Sequence, residues 1–354
     1  MIMLRELFRG INRIGRELGI FQIEISTYRS LESQIHPRAA FPEQWTFQKM
    51  SMETFQKISR HFPLAQWVSI CGWGEPLENE NVIPMLHLAK QAHCLTGLTT
   101  DGVDLTENLA RQLLQEGLDL LVISLEIEAQ AIQESLQSES NFKHIMEQVE
   151  GLVQLKKRLR RDKPFVKLSF PMTRLNMREL PNVVPLAAKL GVEEVIFTHL
   201  DYLPDERWNI LRTFYHESPT PAFQESIDEI RRLGNKMGVG VRTYPLKAEE
   251  VLVCEPNPPR NVFFSVDGSV APCPYLRIPK KGDIPRIFMH KEYRVPQTFF
   301  GNINQEDFPV VWNKESYKKF RKIFEERSKA GTEGSSGLRA LSELCRTCYK
   351  AYGI

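Results

Sequence analysis

No stretch of this chain approaches the ~20 consecutive apolar residues that a bilayer-spanning helix requires, which argues against a transmembrane segment. No apolar run of the signal-peptide kind follows Met1, so no secretory leader is expected and the chain reads as cytoplasmic. An excess of charge is lacking as well. The 46 Lys and Arg nearly cancel the 44 Asp and Glu, and a net charge of +2 makes no electrostatic case for nucleic acid as a partner. Cysteine is scarce through the first 250 residues, where only Cys71 and Cys94 occur. The other four, Cys254, Cys273, Cys345 and Cys348, crowd into the C-terminal third. Without a secretion signal, six cysteines are better read as reduced thiols or metal ligands than as disulfides.

What is present is ample for a real core: 354 residues, 42% of them apolar. Met3 to Leu18 carries Leu4, Leu7, Phe8, Ile11, Ile14 and Leu18 on one helical face, predicting an N-terminal amphipathic helix over residues 1–19. Strands and helices then alternate. Strands are predicted at Phe21–Ser26, Trp67–Cys71, Leu95–Thr99, Leu120–Ser124, Phe165–Phe170 and Glu194–Thr198, with a short last one at Val239–Thr243. Ser51 is the expected N-cap of a helix after the first strand's loop, and further helices are predicted at Asn81–Ala92, Thr106–Glu116, Asn141–Arg160, Arg178–Leu190 and Ala222–Met237. This alternation predicts parallel strands with right-handed crossovers. The basic run Lys156–Arg161 reads as a solvated helix end. Beyond Pro245 the chain turns Pro-rich and loop-rich, placing a boundary at about residue 248 between a barrel-like unit, 20–248, and a Cys-rich unit, 249–354.

The first strand runs into a polar loop, Thr27-Tyr-Arg29-Ser-Leu31-Glu-Ser33-Gln-Ile-His36-Pro37-Arg38, followed by Met50-Ser51-Met52-Glu53. In this frame the sequence resembles the radical SAM superfamily, whose members open with a strand ending in Thr, a CxxxCxxC loop, often Pro-Arg, and a helix announced by Met-Ser-x-Glu. The three cysteine positions are held here by Arg29, Ser33 and His36. Two further loops agree in register: Cys71-Gly72-Trp73-Gly74-Glu75-Pro76 after the second strand, like the family's GxGEP, and Thr100-Asp101-Gly102 after the third. Ser124-Leu-Glu126 follows the fourth strand, where the family has Ser-x-Asp. The resemblance implies an open six-strand β/α partial TIM barrel, with Gly72, Gly74, Glu75 and Ser124 forming a SAM-type pocket.

In the C-terminal unit, Val262–Val266 and Ser269–Ala271 read as a β-hairpin turning at Asp267-Gly268. Thiols from the hairpin region and from Cys345-Arg-Thr-Cys348 can meet at one centre, and thiolates hold either zinc or an iron–sulfur cluster. The arrangement resembles the SPASM or shorter twitch extension of radical SAM enzymes, with Gly301-Asn302-Ile303 and Trp312-Asn313 in support. That resemblance implies one [4Fe–4S] cluster on Cys254, Cys273, Cys345 and Cys348, with zinc as the alternative.

The replacements in the first loop bear directly on function. Arg29 carries a fixed charge and is a poor lone-pair donor, Ser33 is a hard oxygen donor, and only His36 is a credible iron ligand. A stable SAM cluster is therefore not expected, which puts SAM itself in doubt as a ligand. Two functions follow as expectations. One is a non-catalytic pseudoenzyme or scaffold that binds a peptide, a protein substrate or an active radical SAM partner, with Lys280, Lys281, Arg286, Phe288, Tyr293 and Arg294 as a mixed contact surface. The other is an enzyme of altered chemistry that still binds SAM and passes electrons through the auxiliary cluster.

Overall fold

The computed structural model describes residues 16–125, 141–216, 220–332 and 340–354. Seven parallel strands follow one another in sequence order: β1 Leu18–Ile23, β2 Ala65–Ile70, β3 Leu95–Thr100, β4 Leu120–Ser124, β5 Phe165–Met172, β6 Glu194–His199 and β7 Gly240–Thr243. Between them lie α1 Met52–Ser59, α2 Val82–Gln91, α3 Glu107–Glu116, α4 Asn141–Arg158, α5 Val183–Leu190, α6 Glu206–Leu211 and α7 Pro221–Met237. This is the open β/α barrel expected, with its strand ends aimed at one mouth. Local signals fix the helices. The Ser51 hydroxyl accepts from Thr54 N–H at 3.2 Å to cap α1, and Thr106 caps α3, which ends on Gly117 at φ +70°.

Several boundaries differ from the sequence reading. The amphipathic helix lies outside the described residues except at its end, where Leu18 already opens β1. The first strand therefore starts three residues earlier than predicted and ends at Ile23. Arg178–Leu190 holds a 3₁₀ turn, Leu180–Asn182, before α5, because Pro181 lacks the N–H that a continuous helix would use. Lys156 is not solvated: it is buried, ion-paired with Glu193 and donates to Pro164 O at 2.9 Å.

The C-terminal hairpin, β8 Val262–Phe264 and β9 Ser269–Ala271, turns at Gly268, whose φ of +84° suits glycine. It extends the barrel sheet itself. β8 runs parallel to β1, with Phe21 opposite Val262, and β12, Gly301–Asn302, pairs with β9. The ten strands stand in the order β12-β9-β8-β1-β2-β3-β4-β5-β6-β7. Phe21 packs edge-on against Phe264 and Phe308 with ring centroids 5.1 and 5.2 Å apart, so one core crosses the junction. A separate hairpin, β10 Ile284–Phe288 and β11 Lys291–Val295, precedes α8 Phe308–Asn313 and α9 Glu315–Thr332. The contact surface expected there is half interior: Lys280, Arg286 and Phe288 are buried, while Lys281, Tyr293 and Arg294 are exposed.

Candidate functional site

The C-terminal ends of parallel β/α strands are where loops converge on a shared mouth. Here the mouth is a cavity lined by Arg29, His36, Gly72, Gly74, Glu75, Asp101 and Ser124, and by Ser169, Thr198, His199 and Asp201 from β5, β6 and the loop beyond. Of the sequence-derived positions, Ser33 is the exception. It is half-buried, away from this lining, and its hydroxyl accepts from Ile35 N–H at 3.3 Å in a local turn.

The glycines are dictated by the close approach of the second loop to the first strand. A Cβ on Gly72 would lie 2.5 Å from Glu24 Cγ, and one on Gly74 would lie 2.4 Å from Ser26 O and 2.5 Å from Thr27 Cα. Glu24, buried under that loop, accepts from Trp73 N–H at 2.8 Å and from the Ser265 hydroxyl at 3.3 Å, tying β1, the Gly-Trp-Gly turn and the C-terminal hairpin together. Burial pushes its carboxyl up to about 7. Glu75 organises the neighbouring loop. Its carboxylate accepts from the Thr100 hydroxyl at 2.7 Å, from Asp101 N–H at 2.7 Å and from Leu77 N–H at 2.9 Å. Burial first, then the adjacent Asp101 charge, pushes Glu75 up to about 8.

The three positions where a cluster would be bound do not fit one. Arg29 is buried, with Nε 3.7 Å from Asp101 Oδ2. His36 is buried with both ring nitrogens engaged: Nδ1 accepts from Arg38 N–H at 3.2 Å, so Nε2 carries the hydrogen it donates to Trp73 O at 2.6 Å. A side chain so held is an anchor for the Gly-Trp-Gly turn rather than an iron ligand. No soft donor stands at any of the three places.

Sequence reasoning missed the wall opposite. His199 ends β6, donates through Nε2 to Pro245 O at 2.8 Å and accepts from Thr213 at Nδ1, 3.0 Å away; burial lowers it to about 4, so it stays neutral. Asp201 is the hub between barrel and C-terminal unit. It accepts from the Tyr275 hydroxyl and pairs with Lys350, both at 2.7 Å. Burial, the largest single effect, would raise its carboxyl, but the Lys350 charge and the hydrogen bonds from Lys350 and Tyr275 act together against it and the carboxyl is held low. Trp73 completes the seam: its indole N–H points at Pro274 O, 3.2 Å away, and its ring packs on Tyr202 and Tyr275. The one signal available was position, since these residues directly follow a barrel strand.

Behind this seam Cys254, Cys273, Cys345 and Cys348 line a single small pocket, together with Tyr275, Leu276, Phe320, Phe324, Arg286 and Lys350. Burial, and then the neighbouring thiols, raise Cys254 and Cys345, and burial pushes Cys273 up to about 12. The Arg286 charge acts against burial at Cys273 and Cys345, the sense that favours thiolates. Cys71 lines the barrel cavity instead and Cys94 packs beside Arg16, 3.1 Å away. Among the described residues, no three His, Cys, Asp or Glu side chains close on one point as ligands of a single ion would. The donor set of four thiols on an apolar wall, with cations at its edge, fits a thiolate-held cluster.

Known proteins resemble both the barrel and the C-terminal unit. Residues 254–349 match the SPASM family, an iron–sulfur cluster-binding domain. A cofactor-modifying protein for tungsten-containing aldehyde ferredoxin oxidoreductase, from Pyrococcus furiosus, is 24% identical over 295 residues, covering 80% of this chain and 78% of its own. Streptococcus suis SuiB bound to S-adenosylmethionine superposes with a TM-score of 0.60 at 10% identity, over 94% of this chain and 77% of SuiB. SuiB bound to the precursor peptide SuiA gives 0.59 at 12% identity, over 94% and 76%. Native anSMEcpe with bound AdoMet and the Cp18Cys peptide gives 0.58 at 15% identity, over 95% of this chain and 96% of that one. The chain is thus similar in fold to SuiB and anSMEcpe and carries a segment, 254–349, that matches the SPASM iron–sulfur cluster-binding domain, with Arg29, Ser33 and His36 standing where the radical SAM resemblance places the CxxxCxxC thiolates.

Proposed function

We propose that this iron–sulfur protein is a pseudoenzyme of the radical SAM superfamily. It carries one auxiliary [4Fe–4S] cluster on Cys254, Cys273, Cys345 and Cys348, in a module of residues 249–354, and none in the barrel. It serves as a partner that binds a peptide or protein in a maturation or biosynthetic system. The observation that carries the reading is the buried Arg29 at the first cluster position, ion-paired with Asp101, beside a His36 whose ring is already engaged. An arginine cannot be deprotonated to serve as a ligand. A cluster rather than zinc suits the C-terminal thiols. The match of residues 254–349 to an iron–sulfur cluster-binding family supports the cluster over zinc. The peptide partner is supported by SuiB and anSMEcpe, each with a peptide bound.

Anaerobic purification with iron and sulfide analysis tests this reading. The expected content is about four irons per chain. About eight, with a second cluster signal in the EPR spectrum of the reduced protein, would overturn it.

A second reading, an enzyme of altered chemistry, draws support from the shared wall. Asp201 lines the barrel cavity while its partners Tyr275 and Lys350 line the thiol pocket, so a ligand in the barrel would lie one residue layer from the cluster. Gly72, Gly74, Glu75 and Ser124 would then hold SAM. Reductive incubation with SAM separates the two readings: 5′-deoxyadenosine formed at more than the buffer rate favours the enzyme.

A further inference from the structure

Two hollows share a wall in the C-terminal unit, and the function proposed above uses only the inner one. The outer hollow is a groove of about 520 Å³ along α9, whose lining includes Phe300, Lys319, Phe320, Lys322, Ile323 and Leu344. Phe320 and Leu344 also line the thiol pocket, so one layer of side chains separates the groove from the four thiols. Leu344 is joined directly to Cys345 along the backbone, and its carbonyl accepts from Arg286 Nη1 at 3.0 Å. The floor is preformed. The Phe300 ring stacks on buried Tyr317 with centroids 4.2 Å apart, and Lys314 Nζ donates to Phe300 O at 2.9 Å. Among the described residues, the charged side chains of the lining are two lysines, with no carboxylate. Lys322 lies 3.7 Å from Glu326, a loose exposed pair of the kind that contributes little.

We propose that this groove is the docking site of an acidic one-electron carrier protein, which presents its redox centre to Phe320 and Leu344 and exchanges one electron with the cluster on Cys254, Cys273, Cys345 and Cys348. The site deepens the function proposed above and rests on its iron–sulfur assignment. The exchange moves no atom and no proton: one electron leaves the reduced centre and enters the oxidised one. Placement selects this use. Electron tunnelling falls off steeply with distance, and a wall one side chain thick brings a docked carrier close to the cluster. Charge selects the partner. Lys318, Lys319 and Lys322 are exposed within about one turn of α9, whereas Glu325 and Glu326, further along, do not line the groove. An acidic face is steered to these cations and a basic face is repelled. An apolar floor with a lysine rim suits a short-lived contact. Lysine is depleted from the cores of stable interfaces, and electron-transfer encounters are among the smallest, burying less than ~1,200 Å².

The test uses the anaerobically purified full chain, its iron measured, and two protein probes of opposite charge: an acidic plant-type [2Fe–2S] ferredoxin and basic cytochrome c. Biolayer interferometry reads binding. Stopped-flow absorbance reads electron exchange with the ferredoxin, mixed in whichever direction is downhill. The ferredoxin is expected to bind and exchange in a salt-sensitive way. Lys319→Glu together with Lys322→Glu is expected to lower both its affinity and its exchange rate on the order of tenfold. Both lysines are exposed, so iron content and reduction by dithionite, which needs no docking, are expected to match the wild type. Wild-type affinity and exchange in the folded double variant overturn the site. Tighter binding of cytochrome c than of the ferredoxin also overturns it, and that comparison stands even where the double variant does not fold. Failure of a four-iron wild-type chain to bind the ferredoxin overturns the docking site alone, whereas a chain without iron overturns the cluster assignment and the docking site with it.

Discussion

Asp201→Ala is the substitution that most directly probes how the barrel and the cluster unit are joined. Asp201 and Lys350 are buried together, with side-chain exposures of 7% and 2%, and the Tyr275 hydroxyl donates to the same carboxylate. Deleting the carboxylate takes from a buried ammonium its 2.7 Å partner, a change that typically costs about 3–5 kcal/mol. It also takes from Tyr275 its acceptor, which adds about 1–3 kcal/mol. The two losses share one site and do not add in full, so about 4 kcal/mol is the working figure. At ~2.1 cal/mol/K per residue, this chain has an unfolding entropy near 0.7 kcal/mol/K, which converts that loss to a fall of roughly 5–6 °C in Tm. Scanning calorimetry on the cluster-loaded chain provides the assay, with iron content measured alongside. The double change Asp201→Leu with Lys350→Met should recover most of the loss, because it removes both charges and leaves no ammonium to bury. A single variant within about 1 °C of wild type would refute the reasoning. So would a double variant as unstable as the single one.

Other outcomes follow from the same geometry. Gly74→Ala places a Cβ 2.4 Å from the Ser26 carbonyl oxygen and 2.5 Å from Thr27 Cα, backbone that cannot rotate aside, and should destabilise by about 2–3 kcal/mol in denaturant titration. Cys348→Ser should lose most of the iron without loss of the barrel's far-UV signal, and full iron retention would contradict the four-thiol assignment. Glu75 sets a pH dependence: with its carboxyl raised to about 8 in the folded chain, its favourable contribution is complete below the unfolded carboxylate value near 4.5 and drains away as pH rises through about 8. Urea midpoints should therefore fall between about pH 5 and 8, and Glu75→Gln, which cannot ionise, should flatten that slope.

The alternation of short β-branched runs with capped amphipathic segments predicted the parallel strands from sequence alone, and the resemblance supplied the open barrel. That pattern is local, and only right-handed crossovers accommodate it. The Gly72-Trp73-Gly74 turn and the Asp267-Gly268 hairpin were legible for the same reason, since glycine reports a backbone constraint wherever it occurs. The missing thiolates were legible too, because ligand chemistry belongs to residue type. Tertiary structure alone decided the rest. That the hairpin extends the barrel sheet beside β1 depends on pairing across about 240 residues, as with Phe21 and Val262, which no local signal encodes. Lys156 and Arg286 read in sequence as surface charges, yet both are buried, Lys156 ion-paired with Glu193 and Arg286 donating to Leu344 O, contacts far along the chain. Burial also set the protonation of Glu24, Glu75 and His199, since desolvation is a property of the assembled interior. Asp201 and Trp73 gained their roles in the same way, by meeting Lys350, Tyr275 and Pro274 across the seam where the barrel meets the thiol pocket.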